Sequence, residues 1–227
     1  MRQIVLDTET TGLSSTLGHR LIEIGCLELV NRRLTGRQFH TYLNPEREIE
    51  DGAFKVHGLS TAFLQDKPLF AQVVNELIHF MDDAELIIHN APFDVGFLNA
   101  ELMRVKWPKV LEAHCTVLDT LILAKRKHPG QRNNLDALCK RYSVNNANRA
   151  LHGALLDAEL LAHVYLAMTG GQIDLFGEGE EAPEVQTKAN TCSEKLHSCS
   201  PVYCATEDEL AAHEAFMQWI NKKSTVV

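Results

Sequence analysis

Apolar and polar positions follow two rhythms along the first 170 residues. Ile4-Val5-Leu6 is a short apolar run that stops at Thr10-Thr11-Gly12, the mark of a buried strand. Leu21 to Val30 (LIEIGCLELV) is rich in Ile, Leu and Val, alternates in part around Glu23 and Glu28, and predicts a second strand. Asn31-Arg32-Arg33 reads as a tight turn, and Arg37 to Leu43 (RQFHTYL) alternates as a third strand. Strands joined by such short connections form an antiparallel meander.

The period then changes. Phe70 to Met81 carries Val73, Val74, Leu77, Ile78 and Met81 on one side of a predicted helix. Glu85 to His89 (ELIIH) is a short buried strand, and Pro92 opens the next helix, where proline is tolerated in a first turn. Thr116 to Lys127, Asn134 to Tyr142 and Gly153 to Met168 predict further helices. A meander followed by strand–helix alternation gives an α/β domain, a mixed sheet flanked by helices. Gly170-Gly171 closes that domain at residue 171.

Residues 177–205 read as a flexible linker, because Gly177 to Cys204 is poor in aromatics and rich in Gly, Glu, Ser, Thr and Asn. About 28 residues of such chain span roughly 25–30 Å. In the last segment, 206–227, Thr206 resembles an N-cap with Glu209 at the capping-box position. Leu210, His213, Met217 and Ile220 follow at helical spacing. This short amphipathic helix either packs back on the domain or docks on another protein.

Composition narrows the class. Hydrophobic residues make up 45% and charged residues 23%, the balance of a globular protein. No apolar run approaches the ~20 residues that cross a bilayer, and MRQIVLDTETTG reaches acidic residues too early for a signal peptide. Membrane proteins, disulfide scaffolds and disordered chains are excluded, and a cytoplasmic location is expected. The six cysteines form no CxxC pair, which suits reduced thiols. Cys192, His197, Cys199 and Cys204 likewise lack the paired spacing of a structural zinc site and read as thiols in a linker. Residues 1–171 hold 18 Lys+Arg against 20 Asp+Glu, a balance of −2, and residues 172–227 hold 4 against 10, a balance of −6. Such acidity argues against a binder that works through a bare basic surface. It leaves open an acidic cluster neutralised by metal ions.

Three short motifs carry candidate chemistry. Asp7 and Glu9 form Asp-x-Glu at the end of the first strand, where residues two apart face one way and where α/β sheets build their sites. Asn90-Ala-Pro-Phe-Asp94 puts Asp94 near a helix N-terminus, whose dipole favours a carboxylate. In His152-Gly-Ala-Leu-Leu-Asp157, residues five apart on one helix would lie about 140° apart, so His152 is expected on a loop that Gly153 permits. Asp157 interrupts an apolar helix face and needs a partner there, either in a salt bridge or in a site. Taken singly, each motif has an ordinary structural reading: solvated acids, first-turn electrostatics, a satisfied ion pair.

Their conjunction and order resemble the three motifs of the DEDD exonucleases in the histidine-bearing subtype, over about residues 1–170. QIVLDTETTG (3–12), NRRLTG (31–36), NLDALC (134–139) and TGGQ (169–172) place the resemblance among the proofreading exonucleases of bacterial replicative polymerases. It implies a ribonuclease-H-like five-stranded mixed sheet and 3′→5′ removal of terminal nucleotides as 5′-monophosphates. It also implies two Mg²⁺ or Mn²⁺ ions, for which oxygen ligands are suited. By resemblance, Asp7, Glu9 and Asp157 hold the first ion, Asp7 and Asp94 support the second, and His152 is the general base. An imidazole with its ordinary pKa of about 6.5 suits that task. Neutralising these four carboxylates turns the domain's −2 into +2, so a metal-loaded domain can approach a phosphate backbone.

The resemblance also implies that Thr10, Thr11, Gly12, His57 and Phe93, with Asp7, Glu9 and Asp157, contact the terminal nucleotide of a single-stranded DNA 3′ end. Relatives carry a glutamate at the place of Gly52, where this chain has only Glu50 and Asp51 nearby. Gln172, Leu175 and Phe176 (QIDLF, 172–176) resemble a sliding-clamp-binding peptide, with packing on the domain's edge as the other reading. The remaining implied partners are the polymerase's catalytic (alpha) subunit, held by the C-terminal segment, and a small theta-type subunit on the nuclease domain. The same carboxylates would serve an exoribonuclease. A non-catalytic tether between polymerase and clamp would not need them.

Overall fold

Five strands form one sheet in the order β3-β2-β1-β4-β5, in a computed structural model that describes residues 1–147 and 151–170. These lie within Met1–Gly177, one of two units into which the chain divides. The segments 172–176, 177–205 and 206–227, with their expected clamp peptide, linker and helix, lie outside the described residues.

The meander comes first. β1 (Arg2–Thr10) pairs antiparallel with β2 (Leu21–Val30), placing Asp7 opposite Gly25. β2 turns at Asn31 and Arg32, both left-handed (φ 49° and 63°), and returns as β3 (Arg33–Tyr42). Two left-handed residues make a two-residue hairpin whose twist matches its strands, so β3 starts at Arg33 rather than Arg37. β4 (Glu85–Ile88) then pairs parallel with β1, and β5 (Thr116–Asp119) parallel with β4.

β5 corrects the reading of Thr116–Lys127 as a single helix. β-Branched Thr116 and Val117 extend along β4, and the helix begins only at Thr120. Asp119 divides the two, accepting from the backbone N–H groups of Leu121 (2.8 Å) and Ile122 (3.4 Å) as an N-cap. Four residues of strand are too few to show a period of two against a following helix.

The described residues form seven α-helices. α1 (Asp51–His57), α2 (Thr61–Leu64), α3 (Phe70–Met81) and α4 (Ala91–Arg104) precede β5; α5 (Thr120–Lys127), α6 (Leu135–Arg141) and α7 (Ala154–Thr169) follow it. Strand periodicity divides the core in two. On one face Ile4, Leu6, Ile24 and Ile88 pack with Leu77 and Met81 of α3 and Phe97 and Leu98 of α4. On the other Val5, Leu27, Leu29 and Ile87 pack with Leu138 of α6 and Leu161 and Val164 of α7. Ala154, Ala158 and Ala162, four residues apart and fully buried, let α7 lie close on β1 and β2. At Gly25 the approach is so tight that a Cβ would stand 2.4 Å from the backbone of Ala154 and Leu155.

Candidate active site

The carboxyl ends of β1 and β4 open into a cleft of about 460 Å³. Its lining includes Asp7, Glu9, Asp94, His152 and Asp157, so the three motifs far apart in sequence meet in one place. Asp7 and Glu9 project from β1 toward α7, and Asp157 comes from the first turn of that helix, only 2% exposed. His152 stands on the loop before α7, as the spacing requires, with its Nδ1 3.1 Å from Asp157 Oδ2. Ligand atoms of Glu9, His152 and Asp157 all lie within 4.8 Å of one another.

Asp94 arrives from the opposite layer. It sits in the first turn of α4, which Asn90 launches directly from β4 in a left-handed conformation (φ 66°), one that asparagine tolerates better than most residues. Thr8, the β1 residue facing the α4 side, donates its hydroxyl to Asp94 Oδ1 at 2.6 Å. Burial pushes the Asp94 carboxyl up to about 7; hydrogen bonds from Thr8 and the backbone pull the other way, and the charge of Asp119 adds to the rise. Desolvation thus outweighs the favourable helix terminus expected from sequence.

A second cavity of about 330 Å³ adjoins the first, and Glu9, Leu13 and Phe93 line both. Ala53 and Val56 of α1 give it apolar walls, and Glu50, Gly52 and His57 also line it. His57 is buried. Its Nδ1 accepts the Leu59 backbone N–H at 3.0 Å, which leaves the proton on Nε2, and Nε2 has no hydrogen-bond partner. Burial lowers its pKa, with nearby His152 a further small push in that direction. Phe93 stacks at a tilt on Phe97, centroids 5.0 Å apart.

The remaining expected contacts divide. Thr10 lines the second cavity, but its hydroxyl is spent on the Gly12 carbonyl at 2.7 Å. Thr11 is fully buried and lines neither cavity; its hydroxyl meets His19 Nδ1 at 3.0 Å and accepts the Arg20 backbone N–H. Gly12 lies against His19, whose ring a Cβ would meet at 2.4 Å. His19 Nε2 in turn holds Glu50 at 3.0 Å. No sequence signal marked Leu13, His19 or His89 for the site, and their places follow from loops folding over the strand ends. Glu50 stood out only as an acid near Gly52, and Asn134 and Asp136 only within the NLDALC motif. The position of Thr8, between two expected ligands, was open to notice.

This geometry agrees with the family comparison, in which residues 4–165 match the exonuclease family of RNase T type. The chain belongs to that family. Within it the chain belongs with the epsilon subunits of bacterial DNA polymerase III. It is 49% identical over 230 residues to DNA polymerase III subunit epsilon of Salmonella typhimurium, covering 98% of this chain and 94% of that one. It is 47% identical over 225 residues to the subunit of Rickettsia felis, covering 98% of each. Among solved structures, Exonuclease X in complex with 5′ overhanging duplex DNA superposes with a TM-score of 0.57 at 24% identity, over 74% of this chain and 91% of that one. That likeness concerns the fold. This epsilon-type chain is a 3′→5′ exonuclease.

Proposed function

We propose that the chain proofreads for a replicative DNA polymerase, removing mismatched 3′-terminal nucleotides as 5′-monophosphates. The observation that carries this reading is the meeting of Asp7, Glu9, Asp94, His152 and Asp157 in one cleft. The donor set fits divalent cations of the kind the exonuclease family uses. The carboxylates are largely buried, ligand atoms of Glu9 and Asp157 lie with those of His152 within 4.8 Å of one another, and burial raises the Asp94 carboxyl to about 7, a cost that a bound cation would relieve. Asp7, Glu9, Asp94 and Asp157 would hold two Mg²⁺ or Mn²⁺ ions. Those ions, when bound, supply charge stabilisation for attacking and leaving oxygens.

The chain's own residues do the rest. Asp157 holds His152 through Nδ1, so that Nε2 takes the proton of the attacking water. The second cavity receives the terminal nucleotide, its base or sugar against Leu13, Val56 and Phe93. The His57 Nε2–H donor and the Glu50 carboxylate meet polar atoms of the sugar. Glu50, held by His19, thus supplies the carboxylate that Gly52 does not. A mismatched end frays more readily and enters such a single-strand site more often. In the assembled polymerase we place the catalytic alpha subunit on 206–227, the sliding clamp on Gln172, Leu175 and Phe176, a theta-type subunit on the nuclease domain, and the complex in the cytoplasm. Tethering raises the effective concentration of the nuclease at the primer end.

The test is release of nucleotide from a 3′-labelled single-stranded oligonucleotide with Mg²⁺ or Mn²⁺, with and without chelator. Asp7→Ala and Asp157→Ala are expected to fall to background, and His152→Ala by about 10²–10⁴-fold. Activity that survives Asp7→Ala, or a clear preference for an RNA strand, overturns the reading.

A further inference from the structure

Positive charge is concentrated in one stretch of the folded domain. Residues 120–141 contain Lys125, Arg126, Lys127, Arg132, Lys140 and Arg141 against the single acid Asp136, a balance of +5. The rest of 1–171 then carries −7, and that remainder includes the four site carboxylates. All but Arg141 of these cations are exposed, and none forms an ion pair with an acid among the described residues.

Helix dipoles favour cations in a last turn, and α5 and α6 both end on them. That effect does not account for the pattern. The last turn of α4 has one basic residue and that of α7 has none, whereas α5 has three in succession. Arg132 lies in a loop with no dipole to answer. No acid interrupts the run from Thr120 to Leu135.

The stretch is also anchored on the site at both ends. Thr120 at the start of α5 meets His89 of the cleft at 2.9 Å, and Asp119 accepts the Asn90 backbone N–H. Asn134, Leu135 and Asp136 at the start of α6 line the cleft itself. Between these anchors the loop is braced rather than loose. Asn133 donates to the His128 and Gln131 carbonyls, and Arg141 donates to Asn133 Oδ1 and the Arg132 carbonyl. Two of the cations meet electrostatically at one side chain: beyond its desolvation, Arg141 and Lys127 hold the His128 imidazole below its ordinary pKa.

We infer that the ridge from Lys125 to Arg132, with Lys140 beside it, is the track along which the phosphate backbone of the incoming strand runs before its 3′ end enters the metal cleft. This rests on the exonuclease reading above and adds the surface that reading lacks. The eight residues of α5 carry Lys125 to Lys127 roughly 12 Å from the cleft at about 1.5 Å per residue, whereas Arg132 lies two residues from the cleft-lining Asn134. Even at the compact spacing of a duplex strand, about 3.4 Å per nucleotide, the contacts of Lys125 to Lys127 fall no more than about three nucleotides behind the 3′ end. A dinucleotide does not reach them, and a 20-mer does.

The experiment uses the full chain with Lys125→Gln, Arg126→Gln and Lys127→Gln combined, sparing Arg132, which lies next to the cleft, and Arg141, which braces the loop. Binding of a fluorescent single-stranded 20-mer is read by anisotropy across a salt series. Hydrolysis of the 20-mer is compared with hydrolysis of a dinucleotide. Each phosphate contact contributes a salt slope of about 0.7 on single strands, so the variant's slope is expected to flatten by about 2. Its kcat/KM on the 20-mer should fall about tenfold at low salt and stay unchanged on the dinucleotide. An unchanged slope and an unchanged 20-mer kcat/KM overturn the proposal, as does an equal loss on both substrates, which would mean a damaged cleft. Tighter 20-mer binding by the variant also overturns it. A wild-type chain that binds the 20-mer with the steep slope but hydrolyses neither substrate sinks the exonuclease reading and leaves the ridge standing.

Discussion

Asp94 shows how one residue couples the site to solution conditions. Its carboxyl is raised to about 7 in the fold, above the unfolded value of about 3.9. A group raised in this way stabilises the fold fully below its unfolded value, and that contribution is lost as pH climbs through the folded one. In chelator, the melting temperature of the protein is therefore expected to drop between about pH 4 and 7 and to level off above that. Asp94→Asn should lose most of that drop, and divalent cations should reverse it in the wild type. Identical pH profiles for the two proteins would refute the assignment. Glu50 makes a second residue-scale prediction. It lines the cavity proposed for the nucleotide and is held by His19, so Glu50→Gln should raise KM several-fold with a smaller change in kcat, measured on a single-stranded oligonucleotide. An unchanged KM would leave Gly52 without a substitute.

At the scale of elements, α7 sets the geometry. Its alanine stripe and Gly25 bring the helix onto β1 and β2, so Asp157 reaches the acids of β1. A methyl group at position 25 must push the N-terminus of α7 outward, because the atoms it meets are backbone. Gly25→Ala should cost about 1–3 kcal/mol of stability, the usual toll of overpacking, and lower kcat more than it raises KM. Steady-state kinetics beside a thermal melt would check both. The loop before α7 is tied to α1, where the His152 backbone N–H donates to the Val56 carbonyl at 3.1 Å. Leu151 lies over Gly58, whose Cβ would meet its Cδ1 at 2.6 Å. The helix that walls the second cavity thereby also fixes the proposed base. Leu151→Ala is expected to lower kcat several-fold with little effect on KM, and Leu151→Met to restore it. A KM effect alone would show that the tether serves binding only.

Seen as a whole molecule, the sheet and the cleft were legible where local pattern and global role coincide. The β1–β2–β3 meander, α3 and α7 announce themselves by period, and the five cleft residues by three motifs in fixed order. What was hidden depends on contacts between distant segments. β5 needed β4 beside it to be recognised, and β3 began four residues earlier than its alternation showed because Asn31 and Arg32 turn the chain at once. The reversal of Asp94's expected pKa came from burial between layers, which no helix position reveals. Removing 178–227 is expected to leave hydrolysis of a free oligonucleotide intact and to abolish pull-down of the polymerase alpha subunit; lost hydrolysis would mean that those residues belong to the fold.

The cleft draws its acids from the first strand, from a mid-chain helix and from the last helix of the domain. During synthesis the ribosome therefore delivers Asp7 and Glu9 early and Asp157 near the end. A growing chain that stops short of α7 has the β1 acids but neither the third nor the proposed base. On the proposed assignment, incomplete products of translation lack part of the hydrolytic centre, which is complete only once α7 has been made.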